Sequence, residues 1–124
     1  MDDDASLADV PAHLSLSTCT VDVETTATSV VVRVAGELDM ANADQVGLVL
    51  ADAVDAGKPI VRLEIAALTF ADSSAIKAIL TGALDADERG VTFQLVNPRG
   101  LVQRLLEVTG LTEVLTIVQE PAPL

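Results

Sequence analysis

The chain has no tryptophan and no tyrosine, and its only phenylalanines are Phe70 and Phe93. A surface that stacks sugars or unpaired bases needs large flat rings, so composition argues against carbohydrate and single-strand nucleic-acid binding. Cations are scarce too. Seven Lys and Arg stand against nineteen Asp and Glu, a formal net charge of −12. That field repels phosphate backbones and anionic bilayers, so no direct nucleic-acid contact and no membrane docking are expected. It would attract a basic partner, and it serves solubility equally well. One cysteine, Cys19, leaves no intrachain disulfide, and no ligand cluster surrounds it in sequence, so it is expected to pack in a strand.

The missing chemistry is as informative. His13 is the only histidine and falls in a stretch expected to be a tail, so a Ser-His-Asp arrangement lacks its base. There is no G-x-S-x-G elbow and no Gly-rich turn ending in Lys-Ser or Lys-Thr, and Gly36 stands alone after its strand. The sequence therefore predicts no enzyme, no metal and no cofactor. The acidic start lacks a basic segment followed by an apolar run, and no apolar stretch reaches membrane-spanning length; both point to a cytoplasmic protein.

What is present fits one domain of 124 residues with a core of Val, Leu, Ile and Ala. Residues 1–13, with Asp2, Asp3, Asp4 and Asp9, read as a flexible acidic tail; 14–118 form the domain, and 119–124 a C-terminal tail. Leu14 to Glu24 and Val30 to Ala35 read as a hairpin. Val46, Val49, Leu50, Ala53 and Val54 mark a helix stripe, with Asn42 and Gln45 spaced for a capping box and Gly57 then Pro59 ending it. Ile60 to Ile65 is a strand, and Ile76, Ile79, Leu80, Ala83 and Leu84 form a second stripe, stopped by Gly90. Val91 to Val96 is a strand; Val102, Leu105 and Leu106 face inward from a third helix, capped by a left-handed Gly110. Val114 to Val118 closes the order β-β-α-β-α-β-α-β.

Val61-Arg62-Leu63-Glu64-Ile65 and Val91-Thr92-Phe93-Gln94-Leu95 alternate apolar and polar residues. Such alternation marks a sheet with one face toward water, whereas a parallel sheet covered on both faces reads as continuous apolar runs. Right-handed crossovers then place every helix on one side. The prediction is an α/β domain of two layers, a mixed β-sheet with helices packed on one face.

Between strand and helix lies Thr69-Phe70-Ala71-Asp72-Ser73-Ser74-Ala75-Ile76. It sets two hydroxyls at a helix N-terminus, where backbone N–H groups lack partners and negative charge is favoured. One reading is a place to add a phosphate. The plainer one is that Asp72 and Ser73 only cap the helix.

Four segments carry a family resemblance: Gly36-Glu37-Leu38-Asp39; Leu68 through Ser74; Asn97-Pro98; and Val102-Gln103-Arg104-Leu105-Leu106-Glu107-Val108-Thr109-Gly110-Leu111. In this order and spacing the chain resembles the STAS domain over residues 14 to 118, and specifically the single-domain bacterial anti-sigma factor antagonists. The resemblance implies a module that binds an anti-sigma factor, a serine kinase of the histidine-kinase-like ATPase fold, and so frees a sigma factor. It implies Ser73 as phosphoacceptor, with a serine phosphatase reversing the modification. The contact surface it implies comprises Glu37, Leu38, Asp39 and Met40 together with Asp72, Ser73, Ser74, Ala75 and Ile76. Arg104 and Glu107 are expected to be exposed on the third helix. Where the family has Gly after the two hydroxyl residues this chain has Ala75, whose methyl would meet an approaching kinase; a constitutively binding antagonist stays open. So does a non-phosphorylated STAS subunit of a transport, lipid-trafficking or stress-sensing assembly.

Overall fold

The computed structural model describes residues 12–121; the acidic segment before them and the last three residues, both expected as tails, lie outside the described residues. In chain order the elements are β1 (His13–Leu16), β2 (Cys19–Thr25), β3 (Ser29–Leu38), α1 (Ala43–Asp55), β4 (Ile60–Glu64), β5 (Leu68–Ala71), α2 (Ser73–Glu88), β6 (Thr92–Val96), α3 (Gly100–Val108), a 3-10 turn (Leu111–Glu113) and β7 (Ile117–Val118). The sheet runs β1-β2-β3-β4-β6-β7, with β5 joined to β3. The first two pairings are antiparallel and the others parallel.

Alternation along the strands does what it predicts. Val30, Val32 and Val34 of β3, Val61 and Leu63 of β4, and Phe93 and Leu95 of β6 are buried on one face. Arg33, Arg62 and Gln94 alternate with them and keep contact with water. β3, β5 and β6 each feed a helix that packs on the buried face, so α1, α2 and α3 all begin at the carboxyl ends of parallel strands. Three helix N-termini thus gather along one rim.

Several sequence expectations need correcting. Leu14 to Glu24 is not one strand but a hairpin of its own, turned at Ser17–Thr18 with Ser17 at φ 58. His13 is not in a tail: it opens β1, its Nδ1 2.6 Å from Asp22 Oδ1. The last strand is cut to Ile117–Val118, because residues 111–113 wind into a 3-10 turn after Gly110, which is left-handed as expected. The C-terminal stretch does not fray at residue 119. Gln119 Nε2 donates to the Pro98 carbonyl at 3.1 Å, and Glu120 N–H donates to Asn97 Oδ1 at 2.7 Å.

The inward face of α2 is broader than the expected stripe. Ile79 is buried and Ile76, Leu80 and Ala83 pack against the core as expected, with Ala75, Gly82 and Ala86 buried beside them, while Leu84 is 55% exposed. Small residues are there because α1 lies close: a Cβ on Gly82 would sit 3.3 Å from a Leu50 methyl. On α3, Val102 and Leu106 are buried and Leu105 is only half-buried.

Candidate functional site

The site starts from a glycine. β3 pairs with β4 along Ser29–Arg33 and with β5 from Gly36 to Leu38, with a shift of register between Gly36 and Glu37. Gly36 has φ 97, and a Cβ there would lie 2.3 Å from the Thr18 carbonyl oxygen. That oxygen accepts the Glu37 N–H at 2.9 Å, so the approach cannot relax without losing a hydrogen bond. The bulge turns β3 toward β5, where Thr69 Oγ1 donates to the Gly36 carbonyl at 3.1 Å.

Beyond the bulge, Asn42 builds the loop into α1. It is 2% exposed. Its Nδ2 donates to the Glu37 carbonyl at 3.0 Å and its Oδ1 accepts the Asp39 N–H at 2.9 Å. Asp39 Oδ1 accepts the Ala41 N–H at 2.9 Å, and the Asp39 carbonyl accepts the Ala43 N–H at 2.8 Å. The expected capping box is therefore absent: Asn42 makes no side-chain cap on α1, and Gln45 is exposed.

Asp72 ties this loop to α2. Its Oδ1 accepts the Ala75 N–H at 3.0 Å, capping the helix, and its Oδ2 accepts the Met40 N–H at 3.1 Å. Its own N–H donates to the Leu38 carbonyl at 3.2 Å. One carboxylate thus locks two segments more than thirty residues apart in sequence (|i−j| = 32). Ser73, the first residue of α2, is exposed, and the half-buried Ser74 borders the groove between α1 and α2.

Of the predicted contact residues, Glu37, Asp39, Met40, Asp72, Ser73 and Ser74 share this rim with at least part of each side chain in solvent. Leu38 and Ala75 do not: at 1% and 0% exposure they belong to the core. Ile76 is half-buried and packs against it. The Ala75 methyl is therefore not part of the exposed surface. Arg104 and Glu107 are exposed, as expected. Phe70, passed over as a contact residue, is 44% exposed two positions before Asp72; an aromatic in a chain with two of them was the available signal. Cys19 is buried, and burial first, then the Asp39 charge, pushes its thiol pKa up, which keeps it protonated and unreactive. Among the described residues no three His, Cys, Asp or Glu side chains are placed to hold a metal ion, and no helix is long and apolar enough to cross a membrane.

Residues 20–122 match the family model of the STAS domain. The chain belongs to the STAS family. Its fold is shared with an anti-sigma factor antagonist from Mycobacterium paratuberculosis, at 24% identity and a TM-score of 0.74 over 85% of this chain and 90% of that one. The unphosphorylated form of the anti-sigma factor antagonist SpoIIAA aligns at 22% identity and a TM-score of 0.70, covering 82% and 88% of the two chains. The phosphorylated form of the Bacillus cell fate determinant SpoIIAA aligns at 22% and 0.66, covering 82% and 91%. No curated protein matches significantly. At these identities the likeness to solved structures is one of fold.

Proposed function

We propose that this STAS protein is an anti-sigma factor antagonist that binds an anti-sigma factor through the rim around Ser73 and is switched by phosphorylation of that serine. The observation that carries this reading is the division of labour between neighbours. Asp72 alone caps α2, which leaves the exposed Ser73 hydroxyl without a structural duty at the first helical position. The natural partner is an anti-sigma factor of the histidine-kinase-like ATPase class acting as serine kinase, with a serine phosphatase to reset the switch. The protein works by binding, in the cytoplasm, and performs no catalysis itself.

A phosphoserine carries about −1.5 to −2 charge near neutral pH. At the N-terminus of its own helix that charge meets backbone N–H groups and the positive end of the dipole, so the fold tolerates it. Inside a desolvated interface it has no such compensation, and an unpaired buried charge costs several kcal/mol, with each 1.4 kcal/mol being about tenfold in affinity. Release follows from desolvation and clash rather than from refolding.

The test is incubation with candidate anti-sigma kinases and ATP, followed by mass spectrometry and titration of the complex. Phosphate on Ser73 and loss of binding for Ser73→Asp are expected. A chain that binds no such kinase and is never modified at Ser73 would sink the reading. The alternative, a non-phosphorylated subunit of a larger assembly, drew on Ala75 hindering a kinase; with that methyl in the core, no residue of the rim favours it.

A further inference from the structure

Met40 is the most exposed large hydrophobic side chain among the described residues, at 81%. It stands in a loop that is braced from both sides. Its N–H is held by Asp72, and its neighbours are fixed through Asp39 and the buried Asn42. On a preformed backbone an apolar side chain left in water docks without the cost of ordering its loop. Methionine also adapts its shape to a partner pocket. Phe70, half-exposed on the strand that leads to Asp72, adds apolar surface to the same rim.

The charges around Met40 are mostly acidic. Glu37, Asp39, Asp44 and Asp72 lie on the loop and on the first turns it connects, and the first two turns of α2 offer Lys77 as their single cation. This excludes two occupants by repulsion. A second copy would press two acidic rims together, and an anionic bilayer would meet the same field. A protein surface with an apolar pocket and a ring of Lys and Arg would be both steered and fitted.

We infer that Met40 is the apolar anchor of the docking surface, entering an apolar socket rimmed by Lys and Arg on the anti-sigma factor. This rests on the function proposed above and names the partner chemistry that the rim selects. Met40 sets specificity through shape, while Glu37 and Asp44 speed encounter through charge.

The test titrates the unphosphorylated full chain and its variants against anti-sigma factors of the histidine-kinase-like ATPase class from the same genome. Thermal melts check each fold. Met40→Ala should weaken binding about tenfold or more at unchanged melting temperature. Met40→Leu, close in volume, should stay within about threefold of the parent, and Met40→Lys should abolish binding. Added salt should weaken the parent complex, and Glu37→Gln combined with Asp44→Asn should flatten that dependence. If Met40→Ala binds within about twofold of the parent while Ser73→Asp does not bind, the anchor is wrong and the proposed function stands. If the parent binds none of these proteins, both fall. Met40→Ala converting a solution dimer to monomer, or releasing the parent from anionic vesicles, would give the anchor to a different occupant and overturn the inference. A complex insensitive to salt would overturn its basic rim.

Discussion

Two of the helices on this rim begin at residues of the same capping class, and the structure uses them in opposite ways. Asp72 faces forward, caps α2 and reaches across to Met40. Asn42 faces backward, leaves α1 without a side-chain cap and holds the loop that precedes it. The difference follows from burial. Asn42 is enclosed by backbone groups that need an uncharged partner able to donate and accept at once. Asp72 is half-exposed, accepts from two N–H groups and keeps its charge near water. A side chain's local propensity gives it a place at a helix start; the neighbouring backbone decides which way it turns.

Substitutions at these positions sharpen the contrast. The largest effect is expected from Asn42→Ala, which orphans the Asp39 N–H and leaves the Glu37 carbonyl only the Thr18 hydroxyl at 3.3 Å; a loss of about 2–3 kcal/mol in denaturant unfolding is expected. Asp72→Ala removes the α2 cap and the tie to Met40, for about 1–2 kcal/mol, and should also weaken partner binding. A larger loss from Asp72→Ala than from Asn42→Ala would reverse the ranking and place the rim's stability in the cap rather than the loop. Ala75→Gly should lose about 1 kcal/mol through helix propensity, while the rate of Ser73 phosphorylation stays unchanged. Faster modification of that variant would show that the buried methyl matters to a kinase after all. The smallest change is Ser73→Asp, expected within about 0.5 kcal/mol because a carboxylate suits a helix N-terminus. A collapse in its melting temperature would mean that Ser73 shares the capping role.

The layered architecture was legible because the strands alternate cleanly and α1 presents a full stripe of large apolar residues. What escaped was carried by small or atypical residues. On α2 the pattern found Ile76, Ile79, Leu80 and Ala83 but passed over Ala75, Gly82 and Ala86, which weigh little in a hydrophobic pattern, although closeness to α1 demands a small residue at Gly82. The Ser17–Thr18 turn has no Gly, Pro or Asn to announce it. β5 is too short to alternate and exposes Thr69 and Phe70, so it read as part of a loop. At the site, the motif residues found their rim, but sequence alone could not separate Leu38 and Ala75, which support it from beneath, from Met40 and Ser73, which stand on it.

The change of neighbour along β3 divides one strand between scaffold and site. Up to Arg33 the strand pairs with β4; from Gly36 it pairs with β5 and runs on to the Asp72 clamp. The stretches around residues 36–42 and 68–75 therefore act as one unit, in which Gly36, Leu38, Asn42 and Ala75 hold the backbone so that Met40 and Ser73 can face solvent.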